Sequence, residues 1–224
     1  MAAAASTEKR IRVLVVDDHP TVREGLVHRI SAQADMEVCG EAADVREALS
    51  LVRELCPDVA IVDIALRGSD GLELVKTLKA RNTGVRAVVH SMYEENVYAE
   101  RCLRAGAMGY VSKEANPADV VAAIRSVLAG KVYLSESMTH RVLGRAAGDG
   151  GTADPVDSLT DRQLEIFRLF GQGKTATQIA NELHLSVHTV ESHRENIKRK
   201  LGVENVSELT RMAVLWSEGT RREG

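Results

Sequence analysis

Ile11-Arg12-Val13-Leu14-Val15-Val16 runs directly into Asp17-Asp18. The six residues are apolar apart from Arg12, mostly β-branched, and lack the strict alternation of a half-exposed strand. Such a run describes a strand buried on both faces, as in parallel sheets. Pro20 follows at once and suits the first position of a helix, here reaching about Ser31. The same unit recurs down the chain. Met36 to Cys39 precedes a helix over Val45 to Leu55, and Val59 to Val62 precedes a turn at Gly68 to Gly71 and a helix over Leu72 to Ala80. Val85 to Val89 precedes a helix over Glu94 to Ala105. Ala107 to Val111 precedes a helix opened by Asn116-Pro117 and closed by Gly130.

Five strand–helix repeats predict an α/β fold, a flavodoxin-like doubly wound five-stranded parallel sheet with strand order 2-1-3-4-5. Ligands of such sheets sit outside the carboxyl ends of the strands, at the point where the strand order reverses. The residues at those ends are Asp17-Asp18, Asp63, Ser91 and Lys113. Taken singly, each has an ordinary explanation: a strand-end aspartate often caps a helix, and a loop lysine is often merely solvated. Jointly, three carboxylates, a hydroxyl and an ammonium at the ends of different central strands converge on one crevice. Two carboxylates roughly 4 Å apart repel by about 4 kcal/mol at an effective dielectric near 20, so three need a cation. A hard ion such as Mg2+ meets that need with few protein ligands. Asp63 then serves as a carboxylate nucleophile toward a phosphoryl group, with Lys113 and Ser91 neutralising and donating to its oxygens.

The bulk numbers agree with an ordinary globular chain. Of 224 residues 44% are hydrophobic and 27% charged, and the net charge of −3 excludes a global positive field. Three dispersed cysteines, Cys39, Cys56 and Cys102, argue for a reducing compartment and against a disulfide framework or zinc site. Met1 to Arg10 lacks the pattern of a signal peptide, and no apolar stretch approaches a membrane span, so a cytoplasmic location without a membrane partner is expected. The composition shifts after Leu143. Gly144 to Asp157 reads as a flexible linker, and the domains expected are 9–130, a short helix and linker over 131–157, and a small all-α four-helix domain over 158–217.

In that last domain Thr160-x-x-Gln163 and Thr175-x-x-Gln178 read as capping boxes. Gln178 to Leu183, the turn His184-Leu185 and a helix from Ser186 to Leu201 form a helix-turn-helix pattern. Val190, Ile197 and Leu201 share the face that should be buried; His188, Ser192, Glu195 and Arg199 lie roughly opposite. Arg194, Lys198, Arg199 and Lys200 gather positive charge suited to DNA phosphates. A solvated charged stripe has the same pattern, and on the residues alone that reading prevails. In the last helix Val206, Leu209, Met212, Ala213 and Trp216 lie on one side, part of it necessarily core.

Residues 11 to 129 resemble a receiver domain of two-component signalling. The resemblance is carried by Leu14-Val15-Val16-Asp17-Asp18-His19-Pro20, by Val62-Asp63 followed by Gly68 and Gly71, by Ser91, and by Gly106-Ala107-Met108-Gly109-Tyr110-Val111-Ser112-Lys113. It implies Asp63 as phosphoacceptor, Asp17 and Asp18 as acids of the magnesium site with the Ala65 carbonyl as a further ligand, and Ser91 and Tyr110 as switch residues. Tyr110 alternatively only packs at its strand end. Leu66-Arg67 departs from the Met-Pro common in that family and adds a cation near the site. The terminal domain is similar to LuxR-type helix-turn-helix modules through Leu159-Thr160-x-Arg162, Gly173, Ile179-Ala180, Leu185-Ser186, Thr189-Val190-x-x-His193 and Lys200-Leu201-Gly202. Gln178 stands where that family prefers glutamate.

Together the two halves resemble response regulators of the NarL/FixJ class. The resemblance implies a sensor histidine kinase as phosphoryl donor, promoter DNA with a pseudo-palindromic site as target, and a homodimer on activation. It implies DNA contacts by Thr175, Thr177, His188, Thr189, Glu191, Ser192, Arg194, Glu195, Lys198 and Arg199. Dimer contacts fall to Val206, Leu209, Met212 and Ala213. The two glutamates either accept from cytosine amino groups or screen the neighbouring arginines. A phosphorylation-independent transcription factor with a receiver-like sensing domain is the alternative. A metal-dependent phosphohydrolase would need a second acid placed to activate water and a cap to enclose its substrate, and the sequence offers neither, so the chain is not expected to be an enzyme beyond loading and unloading its own aspartate.

Overall fold

Parallel strands cannot be joined by a tight turn, so each apolar run must cross over through a helix before it pairs again. The computed structural model of the chain describes residues 10–66, 69–146 and 155–222. These form two compact units divided between Ser135 and Glu136. The first contains strands β1 (Ile11–Val16), β2 (Met36–Ala42), β3 (Val59–Val62), β4 (Ala65–Leu66), β5 (Ser69–Asp70), β6 (Arg86–Ser91) and β7 (Gly109–Ser112). Its helices are α1 (Pro20–Ser31), α2 (Val45–Leu55), α3 (Gly71–Ala80), α4 (Glu95–Ala105) and α5 (Ala118–Leu128). The main sheet is parallel and ordered β2-β1-β3-β6-β7, the order expected from the sequence.

Both faces of this sheet are covered, which is why its strands read as continuous apolar runs. Val13, Val15, Ile61 and Val88 pack with Leu26 and Ile30 of α1 and with Ile124 and Val127 of α5. The alternate residues Leu14, Val16, Ala60, Val62 and Val89 are no more than 1% exposed on the opposite face. Register then decides what meets at the strand ends. Val16 pairs with Val62, Val62 with Val89, and Ser91 with Ser112. The next residues, Asp17 and Asp63, therefore leave the sheet side by side, and Asp63 N–H donates to the Val16 carbonyl at 2.9 Å. Lys113 N–H donates to the Ser91 carbonyl at 2.8 Å.

Three strands differ in extent from expectation. β2 runs on past Cys39 to Ala42, which pairs with Val16 of β1. β6 continues through Ser91 because His90 and Ser91 still pair with Val111 and Ser112. β7 begins at Gly109, since the Ala107 N–H is used to close α4, donating to the Cys102 carbonyl at 2.9 Å. The acceptor loop holds a short antiparallel ribbon, Ala65 opposite Asp70 and Leu66 opposite Ser69, too brief for periodicity to announce. Arg67, and with it the expected added cation, lies outside the described residues.

The second unit contains α6 (Glu136–Ala146), a 3-10 turn (Pro155–Ser158), α7 (Asp161–Gly171), α8 (Ala176–Glu182), α9 (Val187–Leu201) and α10 (Val206–Arg222). The linker expected over Gly144 to Asp157 is thereby corrected at both ends. Gly144 falls within α6, and Pro155 to Asp157 belong to the 3-10 turn, whose Val156 is buried; residues 147–154 lie outside the described residues. α10 also runs past Trp216. Both capping boxes form, with the Thr160 and Thr175 side chains accepting from the Gln163 and Gln178 amides. Leu164, Ile166, Phe167, Ile179, Val190 and Ile197 are fully buried, and the Phe167 ring meets Trp216 edge-on at 5.7 Å.

Gly71 is where the sheet scaffold and the acceptor loop are pressed together. A Cβ there would lie 1.9 Å from the Asp63 carbonyl oxygen, and the Gly71 N–H donates to the Ile64 carbonyl at 2.9 Å. Backbone rather than a flexible side chain is the obstacle, so Gly71→Ala is expected to destabilise the first unit by about 3 kcal/mol, measured by urea unfolding. A midpoint equal to that of the unaltered chain would contradict the close approach.

Candidate functional site

The end of β1 turns sharply before α1, and the turn is held by its own acids. Asp17 Oδ1 accepts from the His19 N–H at 2.8 Å, and the Arg23 guanidinium donates to the Asp17 carbonyl at 2.6 Å. Asp17, Asp18 and Asp63 are 1%, 9% and 3% exposed. Lys113 joins two of them. Its Nζ lies 2.6 Å from Asp63 Oδ2 and 2.7 Å from Asp17 Oδ2. The other Asp63 oxygen, Oδ1, accepts from the Ala65 N–H at 3.2 Å. The structure thus brings Asp17, Asp18, Asp63 and Lys113 into one crevice.

Burial pushes the Asp63 carboxyl above its ordinary pKa; the Lys113 cation pulls the other way, and the Asp17 charge adds to the rise. Burial opposes the charge on Lys113, yet the Asp63 and Asp17 carboxylates outweigh it and hold the ammonium above its usual pKa. His90, the residue before Ser91, is buried and faces the same cation; burial first and Lys113 second lower its pKa to about 4.

Ligating atoms of Asp17, Asp18, His19 and Asp63 all lie within 4.8 Å of one another. Three carboxylates at that spacing suit a hard divalent cation, and their burial with a single ammonium leaves negative charge for it to offset. His19 is a member that sequence reasoning quoted without assigning a role; its Nδ1 is 2.8 Å from Asp18 Oδ1. Arg23 was missed altogether. A cation in the first turn of a helix opposes the helix dipole, and that anomaly is the signal that it serves another partner.

Ser91 and Tyr110 are linked by a side-chain hydrogen bond and also through Tyr93. The Tyr93 N–H donates to Ser91 Oγ at 3.2 Å, and the Tyr110 hydroxyl donates to the Tyr93 carbonyl at 2.7 Å. Tyr110 is 1% exposed, and burial pushes its hydroxyl pKa well above the ordinary value. The Tyr93 ring in turn stacks on Tyr98 with centroids 4.6 Å apart.

In the second unit, Ser186 caps α9 by accepting from the Thr189 N–H at 3.0 Å, and its hydroxyl meets the Thr189 hydroxyl at 2.7 Å. His188, Ser192, Glu195 and Arg199 are exposed on the face opposite Val190 and Ile197. Arg194 is ion-paired with Glu191, and Lys198 with Glu195 at 3.1 Å. Thr175 and Thr177 are exposed at the start of α8, where the Thr175 side chain serves as the cap. Two expectations need correction. Lys200, though exposed, is not a free cation for a phosphate: its Nζ donates to the Ser158 carbonyl and to Gln163 Oε1, both at 2.8 Å. Leu209 and Ala213 are fully buried, so of the four positions named for dimerisation only Val206 and Met212 offer surface. Arg162, whose guanidinium donates to the Leu183 carbonyl at 3.0 Å, ties the end of α8 to α7.

A doubly wound sheet with an acid crevice and lysine at its strand ends, followed by a helix-turn-helix unit, is the layout of a phospho-receiver joined to a DNA-binding output. Residues 13–125 match the response regulator receiver domain, and residues 157–213 match the luxR family of bacterial regulatory proteins. The chain belongs to the response regulators that combine these two domains, a class of transcription regulators. It is similar to transcriptional regulatory protein LiaR of Bacillus subtilis (strain 168), 38% identical over 91% of this chain and 95% of that one. It is also similar to response regulator GacA of Pseudomonas aeruginosa, 34% identical over the same shares. Among solved structures it resembles RcsB of Salmonella enterica serovar Typhimurium bound to a promoter in the presence of phosphomimetic BeF3-. That likeness has a TM-score of 0.62 and 26% identity, over 92% of this chain and 98% of that one.

Two measurements test this geometry. Removing one partner of a buried ion pair costs about 3–5 kcal/mol, so Lys113→Met should lower the unfolding free energy by that amount, read by urea titration without added metal. The second concerns His90. Its unfolded pKa is near 6.5 and its folded pKa about 4, so between these values the unfolded state binds the extra proton. Stability should therefore fall as pH drops from about 6.5, levelling below about 4, with a total on the order of 3 kcal/mol. His90→Gln should flatten that part of the stability profile.

Proposed function

We propose that this chain is a phosphorylation-switched regulator that accepts a phosphoryl group on Asp63 from a sensor histidine kinase and then binds promoter DNA as a dimer. The observation that carries the reading is the buried Asp63 carboxylate, 2.6 Å from the Lys113 ammonium and beside Asp17 and Asp18, in a chain that matches both families. Residues 9–130 form the receiver, 131–157 the connection and 158–217 the DNA-binding domain in this proposal.

The group transferred is a phosphoryl: the bond from phosphorus to the donor's imidazole nitrogen breaks, and one to an Asp63 carboxylate oxygen forms. Mg2+, held by Asp17, Asp18, Asp63 and the Ala65 carbonyl, supplies positive charge against the carboxylates and the phosphoryl oxygens when bound. Lys113 already sits on Asp63 and is placed to hold a phosphoryl oxygen, and the Ser91 hydroxyl donates to another. Phosphorylation replaces the single charge of the Asp63 carboxylate with roughly −1.5 to −2 on the phosphoryl group, spread over three acceptor oxygens. A Ser91 hydroxyl drawn toward them loosens its tie to Tyr93 and, through the Tyr93 carbonyl, to Tyr110. The chemistry is confined to the chain's own aspartate, so the protein is a switch rather than an enzyme acting on a separate substrate.

In the output domain α9 enters the major groove, as helix-turn-helix recognition helices do. His188, Glu191, Ser192 and Glu195 face base edges, while Arg194, Lys198 and Arg199 take phosphates, with Thr175, Thr177 and Thr189 at the helix starts. Val206 and Met212 supply the dimer surface. Among the described residues no helix is long and apolar enough to cross a membrane, and a cytoplasmic location follows from the proposed DNA target.

The test uses the full chain with acetyl phosphate and magnesium. The unaltered protein should gain one phosphoryl group by intact mass and bind a selected duplex about 5–150-fold more tightly, the usual range of coupling between sites. Asp63→Asn should show neither change. Equal DNA affinity of both proteins in every condition would favour the phosphorylation-independent alternative.

A further inference from the structure

We infer that Glu195 determines specificity by restraint: in the free recognition helix it holds the Lys198 cation down on the helix and shares Arg194 with Glu191, and a base-edge donor at a correct site releases Lys198 to the phosphates. The inference rests on the DNA-binding reading above and concerns how that surface rejects wrong DNA.

Four cations lie on α9 between Arg194 and Lys200, and most of their charge is already committed. Lys200 is turned onto Ser158 and Gln163. Arg194 pairs with Glu191 and has its Nε 3.9 Å from Glu195 Oε1. Lys198 Nζ is 3.1 Å from Glu195 Oε2. Glu195 is thus the shared acid of two cations, one turn of helix from Lys198 and adjacent to Arg194. Arg199 differs from these, donating to the neutral Asn196 side chain at 2.7 Å.

Exposure shows which charge the helix presents. The Arg194 and Lys198 side chains are 23% and 16% exposed, whereas Glu195 is 60% exposed. The open face therefore offers a carboxylate with the cations folded beside it. Phosphate contact supplies nearly all non-specific affinity, and it needs free cations. A random duplex must pull Arg194 and Lys198 away from Glu195 while the carboxylate faces the polyanion. A site with a cytosine amino group in the major groove changes the balance, because Glu195 accepts that proton donor and its hold on Lys198 lapses, while Arg194 is left to Glu191 alone. Ion pairs at i,i+3 on an exposed helix are weak enough for this exchange to be reversible.

The experiment compares the full chain with Glu195→Gln and Glu195→Asp, all phosphorylated, on a selected duplex and a random duplex across a salt series. Far-UV circular dichroism checks that helicity is unchanged, as expected for an exposed position. Glu195→Gln should bind random duplex about tenfold more tightly, with the slope of log affinity against log salt steeper by about one, since the freed Lys198 adds one phosphate contact and each contributes ~0.9. Repeated selection with this variant should lose the preference for one base pair per half-site. Glu195→Asp, which keeps the charge, should stay near the original salt slope. A Glu195→Gln slope equal to that of the unaltered chain, or an unchanged site preference, overturns this inference alone. An unaltered chain that binds no duplex selectively overturns the DNA-binding reading instead.

Discussion

The receiver depends on one buried bridge, the Lys113 ammonium between Asp63 at 2.6 Å and Asp17 at 2.7 Å. Carboxylates at the ends of neighbouring parallel strands cannot be packed together without positive charge, because like charges about 4 Å apart repel by about 4 kcal/mol even at an effective dielectric of 20. Lysine 113 supplies part of that charge from a third strand. It therefore ties β1, β3 and β7 at the edge where the site lies, and it stabilises in the resting protein the same carboxylates that a phosphoryl group would later crowd. The cation that joins the strands is also the one that faces the buried acids, so the site and the sheet share a single electrostatic balance.

The hydrogen-bonded path from Ser91 to Tyr93 and Tyr110 lies against this balance. Tyr110 is wholly buried, and Tyr93 is fixed both by that hydroxyl and by stacking on Tyr98. A change in what the Ser91 hydroxyl bonds must alter this packing, because close-packed side chains shift between discrete arrangements rather than deforming smoothly. The output domain works with weaker forces. Its recognition helix carries pairs of opposite charge at the surface, where each pair contributes little to stability. Such pairs suit a surface that must exchange its partners for DNA.

Much of the site was legible because parallel strands align their ends. Asp17, Asp63, Ser91 and Lys113 could be placed together from strand counting alone, and the structure brings the two aspartates and the lysine within bonding distance. Arg23, Tyr93 and Gly71 were not legible as a group. Their roles depend on backbone atoms, the carbonyls of Asp17, Tyr93 and Asp63, whose positions no side-chain pattern encodes. Lys200 misled for a related reason: a lysine on a basic helix end reads as an uncommitted cation until the 3-10 turn is seen to place the Ser158 carbonyl against its ammonium.

Periodicity and strand-end chemistry by themselves determined the succession of strands and helices, the acids at the strand ends and the helix-turn-helix pattern, because hydrophobic burial enforces a period of two in strands and 3.6 in helices. Only the tertiary structure decided which groups turn inward. It buried Leu209 and Ala213 while leaving Val206 exposed, committed Lys200 to Gln163, and laid Arg194 and Lys198 against acids on their own helix. Those outcomes depend on distances of a few ångströms between segments remote in sequence, and electrostatic and hydrogen-bonding energies change sign or vanish over that range.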